Sequence, residues 1–519
     1  MELMKRQIRK NQTGKKIVAQ FVVDDDYNVP DVKEDVKRIV LSEANLKIDE
    51  VRPVENYIRV IGKLYFKVLY VAESMQPRLA SLEGKLPFEE MVYAEEEGDV
   101  PFVVCDTKVD FSASVIHSRK LDMKAMVELT LCPERIVEEE LAVDIESDVP
   151  VYKKQREFNL LKLHTSKKDT YRIKEEITIP GTKETIGNLL WCDVSARKLD
   201  TRLSEGELFV NGELFVFCFY ESPDGKPDWM EQAVPYEGRV EVSGAESSMY
   251  HHVSSEFGDV NVDVRPDEDG EMRVIGMEGT LSLRIAVYEE ETVELLEDVY
   301  SLQVQCRPET AKVSYEEPVL QNHSKCKVTE RLSLPELQDD ILQICHSSGM
   351  VQVENMTETD EGILVEGVLH VSFLYVKAND GLPFDVWQGM LPFSHLIACS
   401  RTGHDIRYDI TNAMEQLSIS LLGGDSVEVK AVLAFHCFLR NVVETTTITD
   451  IKTEELPMEE LLKRPGIVGY VVKDGDDLWS LAKRYNTTVE GIKEVNELSN
   501  EEIKTGDRIL IFKENMSIL

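Results

Sequence analysis

Three prolines, three glycines and three tyrosines in fixed register constrain this 519-residue chain more than any other feature. With Pro30, Pro180 and Pro335 in one column, Gly62, Gly212 and Gly367 each fall 32 residues later. Tyr70, Tyr220 and Tyr375 each fall 8 beyond those, and the copies start 150 and 155 residues apart. Self-similarity at a fixed period means one structural unit made three times.

The columns between predict the elements of that unit. Six, nine and ten residues after the prolines stand Val36, Ile39 and Val40; Ile186, Leu189 and Leu190; Ile341, Ile344 and Cys345. This i, i+3, i+4 spacing predicts a short amphipathic helix, and proline suits a first helical turn. Around the glycine the period becomes two. Ile58, Val60, Gly62, Leu64, Phe66, Val68 and Tyr70 alternate with mixed residues, and the other copies repeat the pattern. This predicts a long strand buried on one face, and its central glycine predicts a bulge or a close backbone approach. Pro87-Phe88, Pro235-Tyr236 and Pro392-Phe393 open a second half that ends in AMVELTL, LSLRIAV and VKAVLAFHCF. So many alternating strands are most simply buried in a β-sandwich.

The last fifty residues follow a different pattern. Tyr470–Val472 is a β-branched run followed by the turn residues Asp474 and Gly475, and Asp476 or Asp477 can cap a helix. Leu478, Leu481, Ala482 and Tyr485 recur at helical spacing, and Asn486 tolerates the left-handed ending. Thr488 can cap a second helix carrying Ile492 and Val495, and Gly506 turns the chain into a strand over Arg508–Phe512. The expected fold is therefore mainly β: three tandem β-sandwich-like repeats, each with a short helix, then a small βααβ unit. Expected boundaries are 16–145, 166–305 and 320–454 for the repeats, 455–466 for a linker and 467–513 for the terminal unit.

Two resemblances follow from these residues. GYVVKDGDDLWSLAKRYNTT, NELS and IKTGDRILIF, in that order, resemble a LysM domain. That likeness implies a binding module whose groove for N-acetylglucosamine chains lies between loops mapping to Asp474–Leu478 and Asn496–Gly506. Asp477 stands where many members carry Thr or Ser, and Thr505 where many carry Pro. An ionised carboxylate cannot donate a hydrogen bond to a sugar, which favours protein over glycan recognition. Trp479 sits one residue off the apolar face of its helix, either as an exposed interface anchor or half-packed on its own domain. The partner-binding candidates are Trp479, Ile467, Asp476, Asp477, Leu478, Asn496 and Leu498.

The repeats, through P-x5-I-x2-[IL] and the glycine-centred strand ending in Tyr, resemble the SPOCS domain of spore-coat proteins. Three SPOCS domains followed by a LysM resemble the coat morphogenetic proteins of clostridial spore formers. The resemblance implies a non-enzymatic adaptor made in the mother-cell cytoplasm and settled on the forespore surface. There its LysM would bind the stage IV morphogenetic ATPase of the coat's basement layer. The alternative is a peptidoglycan- or N-acetylglucosamine-binding protein of the wall or cortex.

Composition narrows the partners. The net charge is −38, which argues against nucleic acid and anionic lipid and is compatible with a basic protein partner. From Tyr470 onward there are 10 acidic and 7 basic residues, so the charge lies mainly on the repeats, in runs such as Glu95–Glu97, Glu138–Glu140 and Glu289–Glu291. The N-terminal residues lack an apolar h-region, so no export signal is expected, and no stretch is apolar enough to span a membrane. The nine cysteines include no CxxC pair and read as reduced, mostly buried thiols. No phosphate loop, zinc-ligand cluster or nucleophile elbow is present, so no catalytic, cofactor or metal residues are assigned.

Overall fold

The computed structural model describes residues 1–519 apart from 75–77, 95–99, 338–340, 379–383, 400–404, 424, 457–464 and 514–519. The Glu95–Glu97 run and the centre of the 455–466 linker fall outside the described residues.

Each copy is a sandwich of two antiparallel three-stranded sheets. In the first, β1 (Glu2–Thr13), β2 (Ile17–Asn28), β3 (Val36–Val54), β4 (Tyr57–Ala72), β5 (Leu79–Tyr93), β6 (Phe102–His117) and β7 (Lys120–Glu146) follow in order. Sheet β3-β4-β5 faces sheet β2-β7-β6. The second copy repeats this with β8 (Tyr152–Thr178), β9 (Asn188–Ser204), β10 (Glu207–Glu221), β11 (Pro227–Glu241), β12 (Tyr250–Pro266) and β13 (Met272–Tyr300). Its sheets are β9-β10-β11 and β8-β13-β12. The third uses β14 (Val304–Ser333), β15 (Ile341–Thr359), β16 (Gly362–Lys377), β17 (Phe384–Ala398), β18 (Ile406–Gly423) and β19 (Ser426–Glu455), paired as β15-β16-β17 and β14-β19-β18. The alternating strands bury one side of each sheet between them, as the period of two requires.

The glycine column is both bulged and closely approached. Gly62, Gly212 and Gly367 lie opposite Phe88, Tyr236 and Phe393. A Cβ on Gly62 would sit 2.6 Å from the Phe88 ring, and one on Gly212 would sit 2.5 Å from the Tyr236 hydroxyl. The ladder slips beside each glycine, between Ile48 and Glu50, Asn211 and Glu213, and Val353 and Asn355. The Pro-aromatic dipeptide of the second half therefore covers the glycine of the first.

The helix expected after each proline is absent. In the first copy the Lys33 N–H donates to the Pro30 carbonyl at 2.8 Å, and in the second Lys183 does the same to Pro180 at 2.9 Å, closing turns. The Arg119 guanidinium holds the carbonyls of Lys33 and Val29, and Arg273 holds that of Lys183. The buried Tyr70 and Tyr220 hydroxyls donate to the carbonyls of Glu34 and Glu184. In the third copy the described residues before β15 form a one-turn 3-10 helix, Pro335–Leu337. The helix-like spacing comes instead from bulges at Val36/Arg38 and Ile39/Leu41, and again at Ile341/Gln343 and Ile344/His346. Each inserted residue turns a spacing of two into three.

β7, β8, β13, β14 and β19 run beyond their sandwiches as ribbons: β1 with the end of β7, the start of β8 with the end of β13, and the start of β14 with the end of β19. The three ribbons share an apolar core of Ile8, Leu141, Phe158, Leu160, Val293, Leu295 and Tyr315. The sandwiches also meet. Val40, Leu190 and Cys345, ten residues after each proline, converge with Leu69, Phe219 and Leu374 in one cluster. Cys105 and Cys132 form a disulfide between β6 and β7, which departs from the expected nine thiols. Cys105 is extruded by a bulge between Val104 and Asp106 and so meets the neighbouring strand. Of the other seven cysteines, five are buried.

The terminal unit is βααβ: β20 (Ile467–Val471), α1 (Leu478–Tyr485), α2 (Val489–Val495) and β21 (Arg508–Phe512). Asp477 caps α1, Asn486 ends it at φ 55° and Thr488 caps α2. Val495, expected on the buried face, is exposed.

Candidate partner-binding site

Within the terminal unit, the predicted site residues divide into framework and surface. Leu478 is buried in the core with Leu481 and Ala482. Asp476 accepts hydrogen bonds from the Tyr470 hydroxyl at 2.7 Å and the Lys473 N–H at 2.9 Å. These bonds hold its carboxyl below the usual aspartate range. Asn496 spans the gap to β21: its amide donates to the Leu510 carbonyl and its oxygen accepts the Leu510 N–H, both at 2.7 Å. Leu498 is half-buried against the core. Only Ile467 is fully at the surface, 57% exposed.

The outer face of the small sheet is apolar. Ile467 pairs with Phe512, Gly469 with Leu510 and Val471 with Arg508. Ile467, Val471, Leu510 and Phe512 all point to solvent, because Tyr470, Ile509 and Ile511 take the inner face against the helices. Strand alternation thus leaves a strip of four large apolar residues that the described residues do not cover.

The helix side is covered. Trp479 is not a free surface residue: its indole N–H donates to Asp298 at 2.8 Å, and its ring packs edge-on to Tyr300 at 4.8 Å. Lys483, one turn along α1, donates to both Asp298 oxygens at 2.7 and 2.9 Å. Tyr300, 4% exposed, is buried among the core residues of the terminal unit, and its hydroxyl donates to the Thr487 carbonyl at 3.0 Å. Tyr152 stacks on Tyr300 at 5.0 Å. Lys154 donates to Asp477 at 3.0 Å. Partial burial raises the Asp477 pKa, but the hydrogen bonds from Ser480 and Lys154 outweigh it and hold the carboxyl below its usual range. Asp477 is thus a bound anion already serving as helix cap and ion-pair partner.

Asp298, Tyr300, Tyr152 and Lys154 come from the ribbon of the second repeat. Sequence reasoning missed all four, since a ribbon tyrosine or aspartate carries no local signal of a contact 181 residues away. Between ribbon and terminal unit lies a cleft of about 340 Å3. Its walls include Tyr152 and Lys154 on one side and Asp477, Trp479, Glu490 and Glu501 on the other. Among the described residues, no group of three His, Cys, Asp or Glu gathers as a metal site, and no helix is long and apolar enough to cross a membrane.

Comparison with known families agrees with this layout. The LysM domain family matches residues 470–512, and the SipL SPOCS domain family matches 35–116, 185–265 and 340–422, in each copy the span from the start of the first sheet into β6 or its equivalent. No curated protein and no solved structure matches at a significant level. SPOCS and LysM are binding rather than catalytic domains, and together they mark association with the spore coat. With three tandem SPOCS domains and a LysM behind them, this chain is a SipL-type spore-coat protein.

Proposed function

We propose that the chain is a non-enzymatic adaptor of coat assembly. Its LysM domain binds the coat morphogenetic ATPase of the basement layer, and the three SPOCS domains form the body that this contact recruits. The site of action is the forespore surface on the mother-cell side. The observation carrying this reading is the uncovered apolar strip of Ile467, Val471, Leu510 and Phe512, on a LysM whose Asp477 is already engaged. Contiguous exposed apolar residues suit a protein partner, whereas a sugar is held mainly by directional hydrogen bonds. Trp479 is assigned as a second contact. A glycan remains the alternative occupant, favoured by the cleft that Asp477, Leu478 and Glu501 of the two loops partly line.

Parallel capture of the full chain on the polymerised ATPase and on insoluble peptidoglycan distinguishes the two. Retention by the ATPase, lost in Trp479→Glu, is expected. Retention by peptidoglycan alone would replace the adaptor reading with the glycan one.

A further inference from the structure

The ribbon of the second SPOCS domain covers the helix side of the LysM through Asp298, Tyr300 and Lys154. Asp298 accepts from both Trp479 and Lys483, Tyr300 is bonded to Thr487, and Lys154 is paired with Asp477. We propose that this contact is an intramolecular clamp that competes with the partner for the Trp479 face of the LysM, so the chain binds more tightly once the clamp opens. The inference rests on the reading of Trp479 as a partner contact.

Three observations support it. First, the polar part of the contact is of the breakable kind, Tyr300 being its buried anchor. Asp298 and Lys483 are 25% and 34% exposed, and ion pairs open to water contribute little on their own. Second, the LysM cannot diffuse away, being joined to β19 through the short segment 456–466. A tethered domain meets its docking site at high effective concentration, so a weak contact stays closed in the free protein. Third, the clamp occupies the helix side while the apolar strip on the sheet stays open. A partner can thus engage Ile467 and its neighbours first and take the Trp479 side as the ribbon releases it. The apparent affinity of such a site is reduced by the fraction of molecules that are closed.

The test compares full-length wild type, Asp298→Ala and Lys483→Ala. Hydrogen exchange over 478–486 reads the clamp, and equilibrium binding to the polymerised ATPase reads its cost. Exchange in α1 is expected to rise in both variants while exchange in β4 and β10 stays fixed. Binding is expected to tighten by roughly tenfold in Asp298→Ala, the scale of one charge-assisted hydrogen bond. Unchanged exchange, or binding that is unchanged or weaker, overturns the clamp; weaker binding would make the ribbon part of the partner's surface. Adding Trp479→Glu to Asp298→Ala separates the two readings. If the double variant binds as well as Asp298→Ala, the assignment of Trp479 itself has failed; if it loses binding while Asp298→Ala never tightened it, only the clamp has.

Discussion

The junction among the three SPOCS domains and the junction between the second of them and the LysM are built from opposite materials. The first is a closed apolar cluster of Val40, Leu69, Leu190, Phe219, Cys345 and Leu374. Beside it His346, 5% exposed, donates from its two ring nitrogens to Glu231 at 2.8 Å and Asp193 at 3.1 Å. Its ring stacks on Phe217 at 3.9 Å. Burial alone lowers its pKa, but the two carboxylates outweigh it and raise the value to about 9, so it is an imidazolium at neutral pH. The second junction is half-exposed, polar around one aspartate, and has Tyr300 as its buried anchor. A buried charge joined to its partners is costly to break, whereas a solvated one separates readily. On the proposed clamp, the molecule combines a permanent joint among its repeats with a reversible one to its binding module.

That contrast can be broken at several points. The largest effect is expected from His346→Ala, which leaves Asp193 and Glu231 without their shared donor. We expect a loss of about 3 kcal/mol in chemical denaturation. A loss below about 1 kcal/mol would place both joints in the same class. Gly212→Ala follows, with an expected loss of about 2 kcal/mol, since the added Cβ collides with Tyr236 and the Arg197 carbonyl; thermal melting reads it.

The pH dependence is smaller and has a definite sign. Glu43 faces the same cluster, and burial, with Asp193 adding to it, raises its pKa from 4.5 to about 7. A folded pKa above the unfolded one gives stability that is complete below the unfolded value and lost as pH rises to the folded one. Glu43 therefore removes stability between pH 4.5 and about 7, and His346 removes more between 6.5 and about 9. Burial lowers the pKa of His251, His252, His395 and His436, which works the other way at acid pH, so the readout is a difference: wild type should lose melting temperature relative to Glu43→Gln as pH rises from 4.5 to about 7. A difference between the two proteins that does not change with pH would contradict the assignment. The smallest expected effect is that of Asp298→Ala on melting of the SPOCS body, under about 1 kcal/mol. A larger loss would show the LysM joint to be structural.

The parts of this arrangement legible in the sequence are those specified by neighbours along the chain. The caps at Asp477 and Thr488, the left-handed Asn486 and the strand Arg508–Phe512 lie where local chemistry requires. The glycine column announced a close approach, and the aromatic that makes it follows 24 to 26 residues later. The proline-led helix misread a bulged strand, because inserted residues at Ile39/Leu41 and Ile344/His346 imitate helical spacing. The ribbons were hidden because strand residues continue from β7 past Pro133 into Leu141, and from β8 back to Phe158, so a single proline marked the edge of the first sandwich and nothing marked the second. Asp298 and His346 were invisible for a different reason. Their partners come from other domains, and nothing in the local pattern around either residue encodes that distance.

The central claim is that the LysM recruits the SPOCS body to the coat ATPase. It is tested most directly by co-sedimentation of the polymerised ATPase with the full chain and with the chain ended at residue 464. The account predicts that the full chain pellets with the polymer and the shortened chain, its SPOCS domains still folded, stays in the supernatant. Equal pelleting of the two would contradict it.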